Sequence, residues 1–249
     1  MYRQLADPLA PCAETAAAGV SPNQECAHCG VRGRAICSAL SAEEMGALDE
    51  VTQSQSYAAG TTLVRTGELR GNVYTVTSGA LRLVRTLADG RRQITGFALP
   101  GDYIGLTETV RHRHDIEAIV DSRICRTSMA NMQRLRVRYP QLERKLLQRA
   151  GMELAAAQDT GLALARLQPS ERLANFLLRL AARAPHPEND VVALPMGRGD
   201  IADHLGLTME TVSRTFTKLK QQQLIALPQL HMVQILDHAG LRRLAGDDS

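Results

Sequence analysis

The stretch RGDIADHLGLTMETVSRTFTKLKQQQLIAL, residues 198 to 227, decides how the rest of this 249-residue chain is read. Ile201, Ala202 and Leu205 recur at the spacing of a short helix, and Gly206 supplies a turn. Leu207, Val212, Phe216 and Leu219 then form the apolar side of a second helix capped by Thr208. The following LIALPQLHMVQIL reads as two short strands around Pro228, Gln229 and Leu230, so the whole predicts a helix-turn-helix with a β-hairpin wing. On the second helix Glu210, Ser213 and Arg214 stand at i, i+3 and i+4 and share one edge near its N-terminus, the part of such a helix that enters a major groove. Arginine donates two hydrogen bonds to guanine and a carboxylate accepts from the cytosine amino group, so the pair suits one G·C base pair. The plainer use of the same spacing is an intrahelical bridge on a solvated face. Arg198, Thr208 and Lys218 complete the predicted DNA-facing set.

Residues 169–249 carry nine basic and nine acidic side chains, and the whole chain only +3, so one such head has no net field to draw DNA. Two heads acting together are expected, and the preceding segment offers a way to pair them. From Ala130 to Gln168 the pattern is that of one long helix, on which Leu147, Ala150, Leu154, Ala157, Gly161 and Leu164 recur close to every 3.5 residues. So narrow a stripe suits a seam between two copies, where Ala and Gly let backbones approach; the alternative is a helix packed on its own barrel. Gln168, Pro169 and Ser170 end that element, with Ser170 as the cap of the next helix, ERLANFLLRLAARA, whose Leu173, Phe176, Leu177 and Leu180 share a side. APHPEND, from Ala184, is a loop.

Further toward the N-terminus, short β-rich runs from about Ser56 to Arg126 are broken by Gly60, Gly67, Gly71, Gly79, Gly90, Gly101 and Gly105, a texture that predicts a small antiparallel roll or barrel. Asp89 and Gly90 mark a tight hairpin within it. SAEEMGALDEV, from Ser41, reads as a short helix with Ser41 and Glu44 as its capping pair and Met45 and Leu48 on one face. Residues 1–25 read as a mobile tail. The boundaries that follow are an arm over 1–38, a sensor roll over 39–135, a dimerisation helix over 136–168 and a DNA-binding domain over 169–249.

A hydrophobic content of 44% suits packed cores, and no run of 18 apolar residues offers a membrane span. The N-terminus lacks a basic segment followed by a continuous apolar stretch, so a cytosolic address is expected. There the five cysteines stay reduced, and CAHCGVRGRAIC, residues 26–37, is better suited to metal or redox chemistry than to disulfides. Cys26, Cys29 and Cys37 lie in this arm, and Cys125 follows Cys37 by 88 positions, unlike the compact paired units of zinc ribbons. Four thiolates suit an iron–sulfur cluster and a tetrahedral zinc ion equally well by ligand type. Cys12 is left out of the set, and His28 is read as a spacer or second-shell donor. An enzyme is not expected, since the chain has no nucleophile elbow, Gly-rich phosphate loop or HExxH motif.

Barrel, long helix and winged helix in this order, with ETVSR on the second helix, resemble the CRP/FNR superfamily of bacterial transcription regulators over nearly the whole chain. The CxxC, seven-residue, C spacing plus the isolated Cys125 resembles the oxygen-sensing FNR branch, FnrN and FixK-like members above all. The resemblance implies an α+β fold: an N-terminal double-stranded β-helix barrel of the cyclic-nucleotide-binding type, a long dimerisation helix and a C-terminal winged helix-turn-helix. It also implies an oxygen-labile [4Fe-4S] cluster on Cys26, Cys29, Cys37 and Cys125, and an anaerobic homodimer reading TTGAT-like inverted repeats in double-stranded DNA. Arg214 and Glu210 would read the G·C pair and Ser213 an adjacent T. RNA polymerase is the implied further partner, met by barrel loops such as TLADGRR, residues 86–92. The rival is a regulator without a cluster, sensing a small ligand or thiol redox state, with zinc or plain cysteines. Cyclic nucleotide binding is not expected, because Glu108 comes late in the corresponding loop and no Arg-Ser or Arg-Thr pair follows before Ala118. His112 and His114, possible haem ligands by analogy with carbon monoxide sensors, read as a solvated turn. Some members carry an Asp on the seam; here Ala157 takes that place with Asp159 offset, which predicts a tighter apo dimer.

Overall fold

Seven residues, Asn72 to Ser78, show why the roll forms. Tyr74 and Val76 point to one side of the strand and are buried, while Val73, Thr75 and Thr77 point to the other, so both faces of the sheet must be covered. The computed structural model describes residue 26 and residues 29–106, 109–184 and 190–246, which fall into two compact units dividing at Ala155 and Ala156. The tail, Cys12, His28, Glu108 and residues 185–189 of the predicted loop lie outside the described residues.

In the first unit, strands β1 (Thr52–Tyr57), β2 (Thr62–Val64), β3 (Asn72–Ser78), β4 (Leu81–Thr86), β5 (Arg92–Ala98), β6 (Tyr103–Ile104), β7 (Asp115–Ala118) and β8 (Ser122–Ser128) build two antiparallel sheets, ordered β1-β8-β3-β6 and β2-β7-β4-β5. Val64, Tyr74, Val76, Leu81, Ala98, Ile116, Ala118 and Ile124 fill the space between them. The hairpin falls where Asp89 and Gly90 predict it. Gly90 has φ +85°, and Leu87 and Arg91 close the loop through a backbone bond of 2.8 Å.

A second core lies on the outer face of the first sheet. There the arm, with a 3₁₀ turn at Ile36–Ala39 and helix α1 (Met45–Asp49), packs with α2 (Met129–Arg138) and the start of α3 (Pro140–Arg166). Ile36, Leu40, Met45, Leu48, Val73, Tyr103, Met132, Leu135, Tyr139, Leu142 and Leu146 form this cluster. Ser41 and Glu44 make the expected reciprocal bonds, at 2.9 and 3.2 Å, one turn ahead of α1 proper.

One expectation is corrected: the helical stretch from Ala130 is two helices. Pro140 disfavours helical backbone at Tyr139 (φ −125°, ψ 85°), so α2 stops at Arg138 and α3 restarts on Pro140, where a missing N–H costs nothing. The long helix α3 therefore begins at Pro140, and its 27 residues give it a length of about 40 Å.

In the second unit, α4 (Pro169–Ala181) is capped by Gln168 and Glu171, not by Ser170, because Pro169 occupies the first helical position. It buries Leu173, Phe176, Leu177 and Leu180 as expected. Helices α5 (Arg198–Leu205) and α6 (Met209–Gln221) form the predicted helix-turn-helix, with Gly206 left-handed at φ 63° and Thr208 Oγ1 accepting from the Thr211 N–H at 3.1 Å. The wing is larger than the sequence suggests: β9 (Val191–Ala193), β10 (Ile225–Gln229) and β11 (Met232–Ile235) form a sheet ordered β10-β11-β9. Its turn falls at Leu230 and His231, two residues later than expected, because edge strand β10 tolerates Pro228 at a register shift. Helix α7 (His238–Ala245), capped by Asp237, closes the unit.

Candidate functional site

Cys125 sits on β8 between Ser54 of β1 and Thr75 of β3, on the outer face of the sheet. Cys37 lies in the 3₁₀ turn of the arm, and Cys26 and Cys29 precede it. All four line one cavity, with Thr52, Thr75, Thr77 and Thr127 as its floor and Val31, Ile36, Leu48, Val73, Tyr103 and Met132 completing the walls. The cavity is partly open to solvent. None of the four is in a disulfide.

Burial, then a hydrogen bond to Asp49, push the Cys26 thiol far above the ordinary range; the charges of Asp49, Cys125 and Cys37 add to this. Burial, followed by the nearby Cys29, pushes Cys37 up to about 11. Both prefer to keep their protons until a positive centre takes their place, as thiol ligands do. Among the described residues no three His, Cys, Asp or Glu side chains already stand as a metal-holding group. In number, in donor type and in sharing one cavity, the four thiols suit an iron–sulfur cluster or a tetrahedral zinc ion.

The cavity wall is continuous with the start of α3. Cys26 and Cys37 pack against the cluster that holds Leu142 and Leu146. Gln141 Nε2 donates to both carboxylate oxygens of Glu44, at 2.9 and 3.0 Å, and the Arg149 guanidinium donates to the Arg34 carbonyl. Arm and helix are thus joined from Gln141 to Arg149, around the start of the predicted seam. Along that stripe the helix is open: Leu147 (63% exposed), Leu154 (62%), Ala157 and Gly161 face outward, while Ala150 and Leu164 are half-buried. Met152 and Leu162, 60% and 64% exposed, widen the apolar face beyond the predicted stripe. Asp159 is exposed beside Ala157.

On the reading head, Glu210, Ser213, Arg214, Thr208 and Lys218 are exposed, and Met209 with them. Arg214 Nη2 donates to Glu210 Oε1 at 2.5 Å, so the two predicted base readers hold one another. Ser213 Oγ donates to the Met209 carbonyl at 2.9 Å. The Arg198 guanidinium lies 3.3 Å from the centre of the Phe216 ring and is half-buried there, so it also covers part of the head's core.

Between β6 and β7, Arg70 donates to the Gly105 and Thr109 carbonyls at 3.0 and 3.1 Å. His112 exchanges backbone bonds with Gly67 and Glu68, and burial lowers the pKa of both His112 and His114. Sequence reasoning missed the threonine floor and Asp49. The signal for the floor was present, since the NVYTVTS run keeps small or apolar residues on both faces, as a doubly covered strand requires.

A model of the Crp-like helix-turn-helix domain matches residues 171–244, and one of the cyclic nucleotide-binding domain matches residues 54–139. The nitrogen fixation regulation protein FixK of Bradyrhizobium diazoefficiens is 39% identical over 91% of this chain and 96% of its own length. This chain belongs to the CRP/FNR family. Among other CRP/FNR relatives, the transcriptional activator protein FnrL of Cereibacter sphaeroides is 34% identical over 90% of this chain and 93% of its own. The solved structure of FixK2 from Bradyrhizobium japonicum superposes with a TM-score of 0.73 at 36% identity, over 78% of this chain and 97% of that one. The chain is accordingly a transcription regulator of the FNR/FixK type with a DNA-binding helix-turn-helix, and its domains and relatives are those of regulators, not of enzymes. Among the described residues no helix is long and apolar enough to cross a membrane.

Proposed function

We propose that this CRP/FNR regulator responds to oxygen, holding a [4Fe-4S] cluster on Cys26, Cys29, Cys37 and Cys125 and acting in the absence of air as a cytoplasmic homodimer. The observation that carries this reading is the meeting of four thiols, three from the arm and one from β8, on a single cavity against the start of α3. Bound there, the cluster supplies an oxygen-labile tie between arm and roll.

The chain's own residues do the rest. The tied arm keeps Ile36, Leu40 and Leu48 against Leu142 and Leu146, and Glu44 and Arg34 against Gln141 and Arg149. That contact fixes the first turns of α3 and biases Leu147, Ala150, Leu154, Ala157 and Gly161 toward pairing with a second copy. Two recognition helices are then presented together to a palindromic operator of TTGAT-like half-sites. On contact with DNA, Arg214 and Glu210 exchange their mutual bridge for the G·C pair and Ser213 meets the neighbouring T. RNA polymerase is the further partner, with the exposed turn Thr86–Arg92 as the surface offered to it.

Anaerobic purification followed by iron and acid-labile sulfide quantitation tests the cofactor. The expected result is about four of each per chain, a straw-brown colour that bleaches in air, and loss of both on changing any of the four cysteines to Ser. One zinc per chain with no iron or sulfide, or no metal at all, rejects the cluster in favour of a zinc clip or a thiol sensor. Selection from random DNA tests the operator, and recovery of no TTGAT-like inverted repeat rejects that part.

A further inference from the structure

The last turn of α3 leaves carbonyls that have no partner within the helix, as every α-helix does. The guanidinium of Arg172, in the first turn of α4, takes two of the carbonyls at this end: Nη2 donates to Leu164 at 2.9 Å and Nε to Leu167 at 2.9 Å. Its third arm, Nη1, donates to the carbonyl of Leu205 at 3.0 Å. Leu205 closes α5, immediately before the left-handed Gly206 that turns the chain into α6. A Cβ on Gly206 would stand 3.4 Å from Leu164 Cδ2 and 3.7 Å from Arg172 Nη1, so the end of α3 and the turn are also in packing contact. Leu164, the last residue of the predicted seam, is half-buried for this reason. Arg179 ties α4 to α3 a second time, donating to Thr160 Oγ1 at 3.1 Å and to the Ala156 carbonyl at 3.2 Å.

We propose that Arg172 is a positioning residue for operator reading. By holding the α5–α6 turn to the end of α3, it makes the separation of two recognition helices follow the pairing of α3. The claim rests on the homodimeric, palindrome-reading function proposed above. Arg172 acts through backbone carbonyls, and only a planar fork reaches three of them at once; a lysine ammonium is a point charge that cannot.

The test uses the full-length protein with Arg172→Lys and Arg172→Met, and operators whose half-sites are moved apart or together by single base pairs. Wild type is expected to prefer one spacing by about tenfold or more. Both variants should flatten that preference to about threefold or less while their affinity for an isolated half-site stays within about twofold. Amide hydrogen exchange should quicken at residues 165–168 and 206–208 together. An unchanged spacing preference overturns the proposal, and so does a half-site affinity that falls in step with it, which marks a merely structural residue. A wild type indifferent to spacing refutes the paired-reader function itself. Exchange then judges the link alone: joint loss of protection in Arg172→Met upholds it, and unchanged protection overturns it.

Discussion

Leu142→Ala tests whether the cysteine arm and the long helix are one structure. Leu142 is 0% exposed, inside one buried cluster that also holds Ile36 and Leu40 of the arm, Met45 and Leu48 of α1, Met132 and Leu135 of α2, and Val73 and Tyr103 of the sheet. Truncating a fully buried leucine costs about 2–5 kcal/mol, and more where the walls cannot collapse into the gap. Walls drawn from so many elements put the expected loss near the middle, about 3 kcal/mol. In a unit of this size that lowers the melting temperature by roughly 10 °C. Because the chain forms two compact units, calorimetry should resolve two transitions, and only one should move. Leu177→Ala, equally buried in the second unit, is the control and should move only the other. Limited proteolysis should cut the Leu142→Ala arm between Arg32 and Glu44 sooner than in wild type. A shift below about 3 °C, or equal shifts in both transitions, would refute the claim that this side chain staples the arm to α3.

Further outcomes follow from other sites. Arg214→Ala should cost about 1–3 kcal/mol in operator binding and relax one base position, read by selection on randomised half-sites. Its effect on stability should be small, because the Glu210 partner is an exposed one. Thr208→Ala removes the cap of α6 and should destabilise the second unit by about 1 kcal/mol in denaturant titration. Gly79→Ala should be far worse than an ordinary surface change, since Gly79 has φ +81° and a Cβ there would stand 2.5 Å from the Asp121 carbonyl; failure to accumulate as soluble protein is the readout. Arg136 holds the Glu143 carboxyl below its usual range through a hydrogen bond, so the folded chain releases that proton more readily than the unfolded one. The resulting stabilisation is full at neutral pH and is lost as pH falls below the ordinary carboxylate range, and Arg136→Ala should flatten the acid limb of the stability curve.

The head was the most legible part because its signals are local. Gly206 and Thr208 mark the turn and the cap, and Val212, Phe216 and Leu219 repeat at helical spacing, so the turn, the cap and the packed face all fall where the sequence puts them. Spacing marked Cys26, Cys29 and Cys37, and only the resemblance added Cys125, which shares their cavity; the full floor was harder to read, since threonines from β1, β3 and β8 meet only through non-local strand pairing. Asp49 escaped notice because its bond to Cys26 joins residues with no periodic relation. The single long helix was misread across Tyr139 because apolar periodicity continues through Pro140 while the backbone does not. The charge of Arg198 was visible in the sequence, and the Phe216 ring beneath it was not. The wing gained a strand for a similar reason: Val191–Ala193 is too short to announce itself until β11 pairs with it.

The central question for this protein is whether an inorganic group at four cysteines governs contact between two copies of α3. Sedimentation of an anaerobically purified sample, followed through its visible absorbance and repeated as air is admitted, addresses this directly. The expected result is a coloured dimer whose bleaching and dissociation run together, with the Cys125→Ser protein colourless and dissociated from the start. A colour that fades while the dimer persists, or a dimer without colour at any stage, contradicts it.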